Sequence, residues 1–500
     1  MAGAPGGGGG AAAGVTGRED GRPEEGGLEE VRVFELDPER FATVLDGGEW
    51  TAFQDAIRRG RELFAERTLW NVNSTAHGGG VAELLRSLIG YARGAELDAR
   101  WAVIDGDADF FRVTKRIHNL LHGFRGDGGP LDEVERAIYD RRCERNAELL
   151  TARLRPQDAV ILHDPQTAGM VPHLARSGAA VVWRAHVGAD EPNDLAREAW
   201  RFLTPYIEPA DAFIFSSARY VWEGLDRDKV SVIAPSIDAF SPKNQTLTFT
   251  GVTAVLRAVG LARDGHHASR AVFERLDGSV CPVTSQATVL EEQQLRLDEP
   301  LLTQVSRWDR LKDPTGVLAA FVEHVRFAED PHLLLAGPDV TSVTDDPEGQ
   351  EVFRESEAAW LGLPRAARRR VHLALLPMND ADENAVIVNA VQRRSDVICQ
   401  KSLAEGFGLT VSEAMWKARP VVASDVGGIR EQIEDGRSGF LVDPRDLASF
   451  GRHVSDLLAD PHDAERMGEA GQARVREHFL GPRHFEQYLV LFEKIFGSGS

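Results

Sequence analysis

The feature that most narrows what this chain can fold into is the spacing of its apolar residues. Short, nearly continuous apolar runs recur at 160–163, 180–185, 212–215, 301–305, 332–336, 397–399 and 420–423. Between them lie segments with the period of amphipathic helices, at 81–92, 131–154, 315–327, 385–394 and 409–417. Strands buried on both faces read as continuous Val/Ile/Leu runs, whereas strands with one wet face alternate. The pattern therefore predicts an α/β chain with parallel sheets. It occurs as two series separated by a poorly patterned, glycine-containing stretch. The expected organisation is a Rossmann-like domain over 29–240, an irregular linker over 241–300 and a second Rossmann-like domain over 301–482. A last helical pattern, 483–500, follows Gly481-Pro482 and is expected to cross back onto the first domain. Ligands of open α/β sheets bind beyond the carboxyl ends of the strands, so two facing sheets imply an interdomain cleft.

Composition bounds the partners. With 500 residues and 42% apolar content there is core enough for two or three domains. The 57 Lys and Arg stand against 78 Asp and Glu, a net charge of −21, which excludes a nucleic-acid surface but not a local cationic pocket for one phosphate group. Cys143, Cys281 and Cys399 lie too far apart for a disulfide framework or a zinc spacing. No run approaches the ~18 apolar residues of a membrane span. Residues 1–28 are Gly/Ala-rich and then acidic, without the basic start and apolar core of a secretory signal; they read as a disordered tail. The expected compartment is the cytoplasm.

Five motifs are candidates for chemistry. WNVNSTAHGGG at 70–80 runs into a helical pattern, where glycines let a ligand approach backbone N–H groups. An ordinary glycine turn accounts for the spacing equally well. GxxxxGK[ST] is absent and GxGxxG is not completed, and the lipase-like HGGG has no GxSxG to accompany it. The acidic run DGDAD at 105–109 has the look of a cation site, but an EF-hand would need glycine where Phe110 stands, and a solvated turn is the simpler reading. His118 and His122 have helical i,i+4 spacing, yet Asn119 replaces the glutamate of HExxH, so they are assigned to structure or substrate contact and not to zinc.

The most specific group lies in the second half. In SRWDRLK (306–312), Arg307 and Lys312 follow a buried strand, where a guanidinium fork and an ammonium can meet a diphosphate. EGFGLTVSE then places Glu405 and Glu413 around a glycine-flanked turn into a helix, whose N–H groups favour phosphate. A carboxylate suits paired sugar hydroxyls because it accepts two hydrogen bonds.

SRWDRLKDP, EGFGLTVSEAMWKARPVVASDVGG and DGRSGFLV closely resemble the retaining glycosyltransferases of family 4, which have the GT-B architecture of two Rossmann-like domains facing across a cleft. WNVNSTAHGGGVAELL, VIDGDADFFRVTKRIHNLLHG, HDPQTAG and VVWRAHVG, with IAPSIDAFSPKN near the linker, look like the trehalose glycosyltransferring synthase branch. The resemblance runs from about Arg32 to the C-terminus and is thin over 246–288. It implies reversible transfer of glucose from an NDP-glucose to free glucose, giving α,α-trehalose with retained configuration. It also implies that Arg307 and Lys312 stabilise the leaving diphosphate, that Glu405 holds the donor sugar and that His186 contacts it near the reacting carbon. By the same resemblance Gly79, Gly406, Phe407, Gly408, Leu409 and Thr410 are expected to hold donor phosphates and sugar through their backbone, and Glu413 to take the ribose. The leading acceptor contacts it implies are Asp164 and Gln166, joined by Asn73, Lys115 and the glycine loop. No protein nucleophile and no obligatory metal or other cofactor are expected. The same cleft in a trehalose phosphorylase would use phosphate in place of nucleotide, and a different acceptor is a further alternative. The resemblance allows a homodimer, which the sequence does not decide.

Overall fold

The computed structural model describes residues 27–76, 79–262, 270–340 and 347–497, without the side chain of Pro347. Most of the expected tail, and His77 and Gly78 of the glycine loop, lie outside the described residues. Leu28, assigned to that tail, is instead buried in the first domain's core.

The first sheet contains β1 (Glu29–Val31), β2 (Thr68–Asn73), β3 (Asp98–Val103), β4 (Ala159–His163), β5 (Ala180–Ala185), β6 (Ala212–Phe215) and β7 (Val230–Val232). Their order is β1-β3-β2-β4-β5-β6-β7, parallel except for the antiparallel edge β1. A small hairpin, β8 (Val272–Glu274) and β9 (Val280–Pro282), precedes the second sheet. That sheet holds β10 (Thr288–Leu290), β11 (Leu301–Val305), β12 (His332–Pro338), β13 (Val371–Leu376), β14 (Val397–Gln400), β15 (Val421–Ser424) and β16 (Phe440–Val442), in the order β10-β13-β12-β11-β14-β15-β16. Again only the edge, β10, is antiparallel.

Helices cover both faces of each sheet, which explains the continuous apolar runs. Val160, Leu162, Val181 and Trp183 enter one core of the first domain, while Ile161, Val182 and Ile214 enter the core on the opposite face. Both faces being dry, no alternation survives in the sequence. β2 escapes the pattern because Asn71 and Asn73 interrupt it, yet both are buried. Asn73 Oδ1 accepts from Trp101 Nε1 at 2.8 Å, and Asn71 Oδ1 lies 3.2 Å from His163 Nε2.

The stretch expected to be an irregular linker, 241–300, is largely second-domain structure. Thr248 caps the helix Phe249–Ala258, which packs against Ala381–Arg394, and β10 extends the second sheet. Its elements are short and partly antiparallel, so it lacks the continuous runs that mark the other strands. The final helix, Gly481–Gly497, packs on the first domain through Phe53 with Phe485, Phe64 with Phe492, and an Arg59–Glu493 ion pair of 2.7 Å.

Candidate active site

In each sheet the strand order reverses direction once, and open α/β sheets bind ligands beyond the strand ends at such a point. In the second domain the reversal lies between β11 and β14, which carry the two strongest motifs. The turn after β11 is rigid. Asp309 caps the one-turn helix Arg310–Lys312, Gln304 Nε2 donates to the Lys312 carbonyl at 2.8 Å, and the buried Lys401 pairs with Asp313 behind it. Lys312 is thereby aimed at Glu405, to which its ammonium is paired, and Ser402 Oγ donates to the same carboxylate oxygen at 3.1 Å. Arg307 stays largely exposed and meets Asp309 at 2.9 Å. One short loop thus presents two cations beside a carboxylate.

After β14, Gly406 to Gly408 lead into the helix Leu409–Trp416. The Phe407 side chain is turned into the core against Phe479, which leaves its backbone alone for any ligand contact. Thr410 Oγ1 donates to Gln400 Oε1 at 2.9 Å. Glu413 is buried, its Oε2 makes no hydrogen bond among the described residues, and burial pushes its carboxyl above the usual range.

The first domain's reversal lies between β2 and β4. Gly79 caps the helix Gly80–Gly94 beyond β2. Asn73, expected to touch the acceptor, also anchors the loop: besides holding Trp101, its amide donates to Thr75 O at 2.8 Å. Beyond β4, Asp164 adopts a left-handed backbone, φ 64°, and its Oδ1 accepts from the His186 N–H at 2.8 Å. A non-glycine residue held in that conformation stores strain of ~1–3 kcal/mol, which clusters at functional sites. Burial pushes its carboxyl up to about 7. Gln166 follows on the same short helix, Asp164–Ala168.

His186, at the exit of β5, pairs through Nε2 with Nδ1 of His163 at 2.9 Å, and both are kept neutral by burial. Asn71 Oδ1 can only accept, so His163 Nε2 carries the proton and its Nδ1 accepts from His186 Nε2–H. His186 Nδ1 is left as an acceptor. Sequence reasoning missed His163, although it stands immediately before Asp164.

The two halves meet closely. A Cβ on Gly80 would sit 2.9 Å from Leu409 Cδ1, so two helix N-termini abut across the cleft. Tyr220 Oη donates to Gly406 O at 2.6 Å, and the Gly427 N–H donates to Asp190 Oδ2 at 2.7 Å. Lys115 stands exposed on the helix Ala108–Leu121, which carries His118, with His122 at its end. Burial and then His122 push His118 down to about 3, with Arg307 contributing; burial holds His122 at about 4 between Glu405 and Lys312. Both histidines thus face the second domain's charged loop. In the acidic run, Asp107 caps its helix and Arg142 pairs with both Asp105 and Asp107. Among the described residues no group of three or more His, Cys, Asp or Glu is arranged to hold a metal.

Two family models match the chain: "Trehalose synthase, N-terminal domain" over residues 71–222 and "Glycosyl transferases group 1" over 285–474. The trehalose synthase of Pyrococcus horikoshii is 35% identical over 88% of this chain and 93% of its own length. The trehalose phosphorylase of Pleurotus sajor-caju is 26% identical over 88% of this chain but only 59% of its own length. Among solved structures, an alpha,alpha-trehalose-phosphate synthase (UDP-forming) from Burkholderia vietnamiensis superposes with a TM-score of 0.60 at 16% identity, covering 87% of this chain and 98% of that one. At that identity the likeness speaks for the fold.

Proposed function

Because the chain belongs to the trehalose synthase family of GT-B glycosyltransferases, we propose that it moves glucose from an NDP-glucose to the anomeric hydroxyl of free glucose, forming α,α-trehalose reversibly. The observation that carries the nucleotide in this reading is Glu413: a buried carboxylate with an unpartnered oxygen suits a ribose diol and has no task toward inorganic phosphate. The UDP-forming trehalose-phosphate synthase of the same fold supports it.

In the proposed reaction Arg307, Lys312 and the abutting helix starts are complementary to the charge that grows on the leaving diphosphate. Glu405 holds the donor glucose and keeps Lys312 in register. His186 accepts from a donor hydroxyl, while Asp164, Gln166 and Lys115 orient the acceptor. The acceptor hydroxyl attacks on the face the diphosphate leaves, its proton passing to the departing phosphate oxygen, so configuration is retained without a protein nucleophile. The cations and helix ends supply what a metal would, so no divalent ion is required. The whole cycle belongs in the cytoplasm, where nucleotide sugars are made.

Trehalose breakdown separates this reading from phosphorolysis. Incubation of the chain with trehalose and UDP or ADP is expected to release glucose and an NDP-glucose at a rate that EDTA leaves unchanged. Release of glucose 1-phosphate from trehalose and phosphate, with no response to nucleotide, would establish the phosphorylase instead.

A further inference from the structure

Lys243 lies on the segment connecting the two domains, outside every element assigned to chemistry above. Its Nζ is 2.7 Å from both oxygens of Glu83, on the first turn of the first-domain helix Gly80–Gly94. On its other side it is 3.6 Å from Glu413 Oε1, on the second-domain helix Leu409–Trp416. We propose that Lys243 is a positioning residue for the nucleotide half of the donor: its ammonium holds Glu413 as the anion that accepts the ribose hydroxyls. The inference rests on the donor reading above.

The geometry suits that task. At 3.6 Å Lys243 acts on Glu413 through its charge and consumes no acceptor lobe, so both carboxylate oxygens stay available to a diol. Glu413 needs such a cation because it is 3% exposed, and desolvation favours the neutral acid. Burial and three charged groups bear on it. Burial raises its carboxyl, Lys243 opposes that, Glu83 adds to it and Lys417 opposes it more weakly. Lys417 is a poor substitute: buried, with Arg393 near, it is held well below the usual lysine range, and its Nζ donates to Asn244 Oδ1 and to the Glu413 backbone carbonyl. Lys243 stays charged, since Glu413 and Glu83 together outweigh the burial that works against its ammonium. A protonated Glu413 would lose one acceptor oxygen and the added strength of charge-assisted hydrogen bonds.

The test is calorimetric affinity of the full chain for UDP, ADP and GDP between pH 5.5 and 8.5, in wild type, K243M, K243R and E83Q. Wild type is expected to depend on pH less steeply than K243M across the range. K243M binds about tenfold more weakly at pH 6 and recovers as pH rises, because deprotonation of Glu413 then proceeds without the lysine. K243R follows wild type, and E83Q stays within about twofold of it at every pH. Should methionine unfold the chain, K243Q, which keeps a donor to Glu83, repeats the measurement. K243M equal to wild type, or weaker by one constant factor at all pH values, would overturn the proposal. So would E83Q as impaired as K243M, since the interdomain tie and not the charge would then matter. Wild-type protein that binds none of UDP, ADP and GDP overturns the donor reading, and the assignment of Lys243 with it.

Discussion

Lys312→Ala is expected to lower glucosyl transfer by about 10²–10³-fold while the chain stays folded, the scale of removing one preorganised donor from a developing anion. The turn that presents Lys312 does not depend on its ammonium. It is set by the Asp309 cap, by Gln304 on the Lys312 carbonyl and by the Lys401–Asp313 pair. What the substitution removes is the cation beside Glu405, leaving that carboxylate, largely shielded from solvent, with Ser402 as its side-chain donor. A modest stability loss of ~1–3 kcal/mol accompanies it, from the unpaired charge. The diagnostic split is kinetic. In the proposed reaction kcat falls, because the missing charge acts most strongly on the leaving diphosphate, whereas KM for glucose holds, because that reaction seats the acceptor against the first domain. Steady-state kinetics with a thermal melt of the same sample check both halves. Unchanged kcat would remove Lys312 from the site.

Gly427→Ala is expected to reduce transfer at least as sharply by a purely steric route. Gly427 sits at φ 52°, and an added Cβ would lie 1.8 Å from the Glu405 carbonyl oxygen and 2.8 Å from the Tyr220 hydroxyl. Neither can yield alone, since Tyr220 Oη is itself bonded to Gly406 O and the Gly427 N–H is held by Asp190. The donor loop has to move by an ångström or more, and a displacement of that size costs about 10²-fold in rate where reacting groups are prealigned. Gly436→Ala is the control. It has φ 74° with no atom within 4 Å of the new Cβ, so it carries the backbone strain, ~1 kcal/mol, without the collision. Kinetics of the two variants side by side separate loop displacement from strain: G427A nearly inactive, G436A close to wild type. Two active variants would contradict this account of the loop.

How far the sequence went follows from which interactions are local. β4, β5, β6, β11, β12, β14 and β15 were legible because both faces of each are covered, so burial alone writes them into the apolar pattern. β2 was not, because Asn71 and Asn73 are satisfied by His163 and Trp101, partners dozens of residues away that no local window contains. Arg307, Lys312, Glu405 and Glu413 stood out because each lies within a strand-turn-helix segment whose geometry is local. The structure brings the first three together at one strand reversal. Asn73 and the Phe407 side chain took on anchoring tasks decided by packing. Lys243, Tyr220 and Asp190 were illegible for the opposite reason: their role exists only where the two domains touch.

In the proposed reaction this cleft joins two glucose units at their anomeric carbons, with the donor's configuration kept and a nucleoside diphosphate released. Incubating the chain with UDP- or ADP-glucose labelled with ¹³C at C1 and unlabelled glucose, and following the product by NMR, reads all three features at once. The predicted result is α,α-trehalose, with the label in an α-anomeric signal of a non-reducing disaccharide and free nucleoside diphosphate in equal amount. A β-linked product, a reducing disaccharide, or label appearing only in free glucose would contradict it.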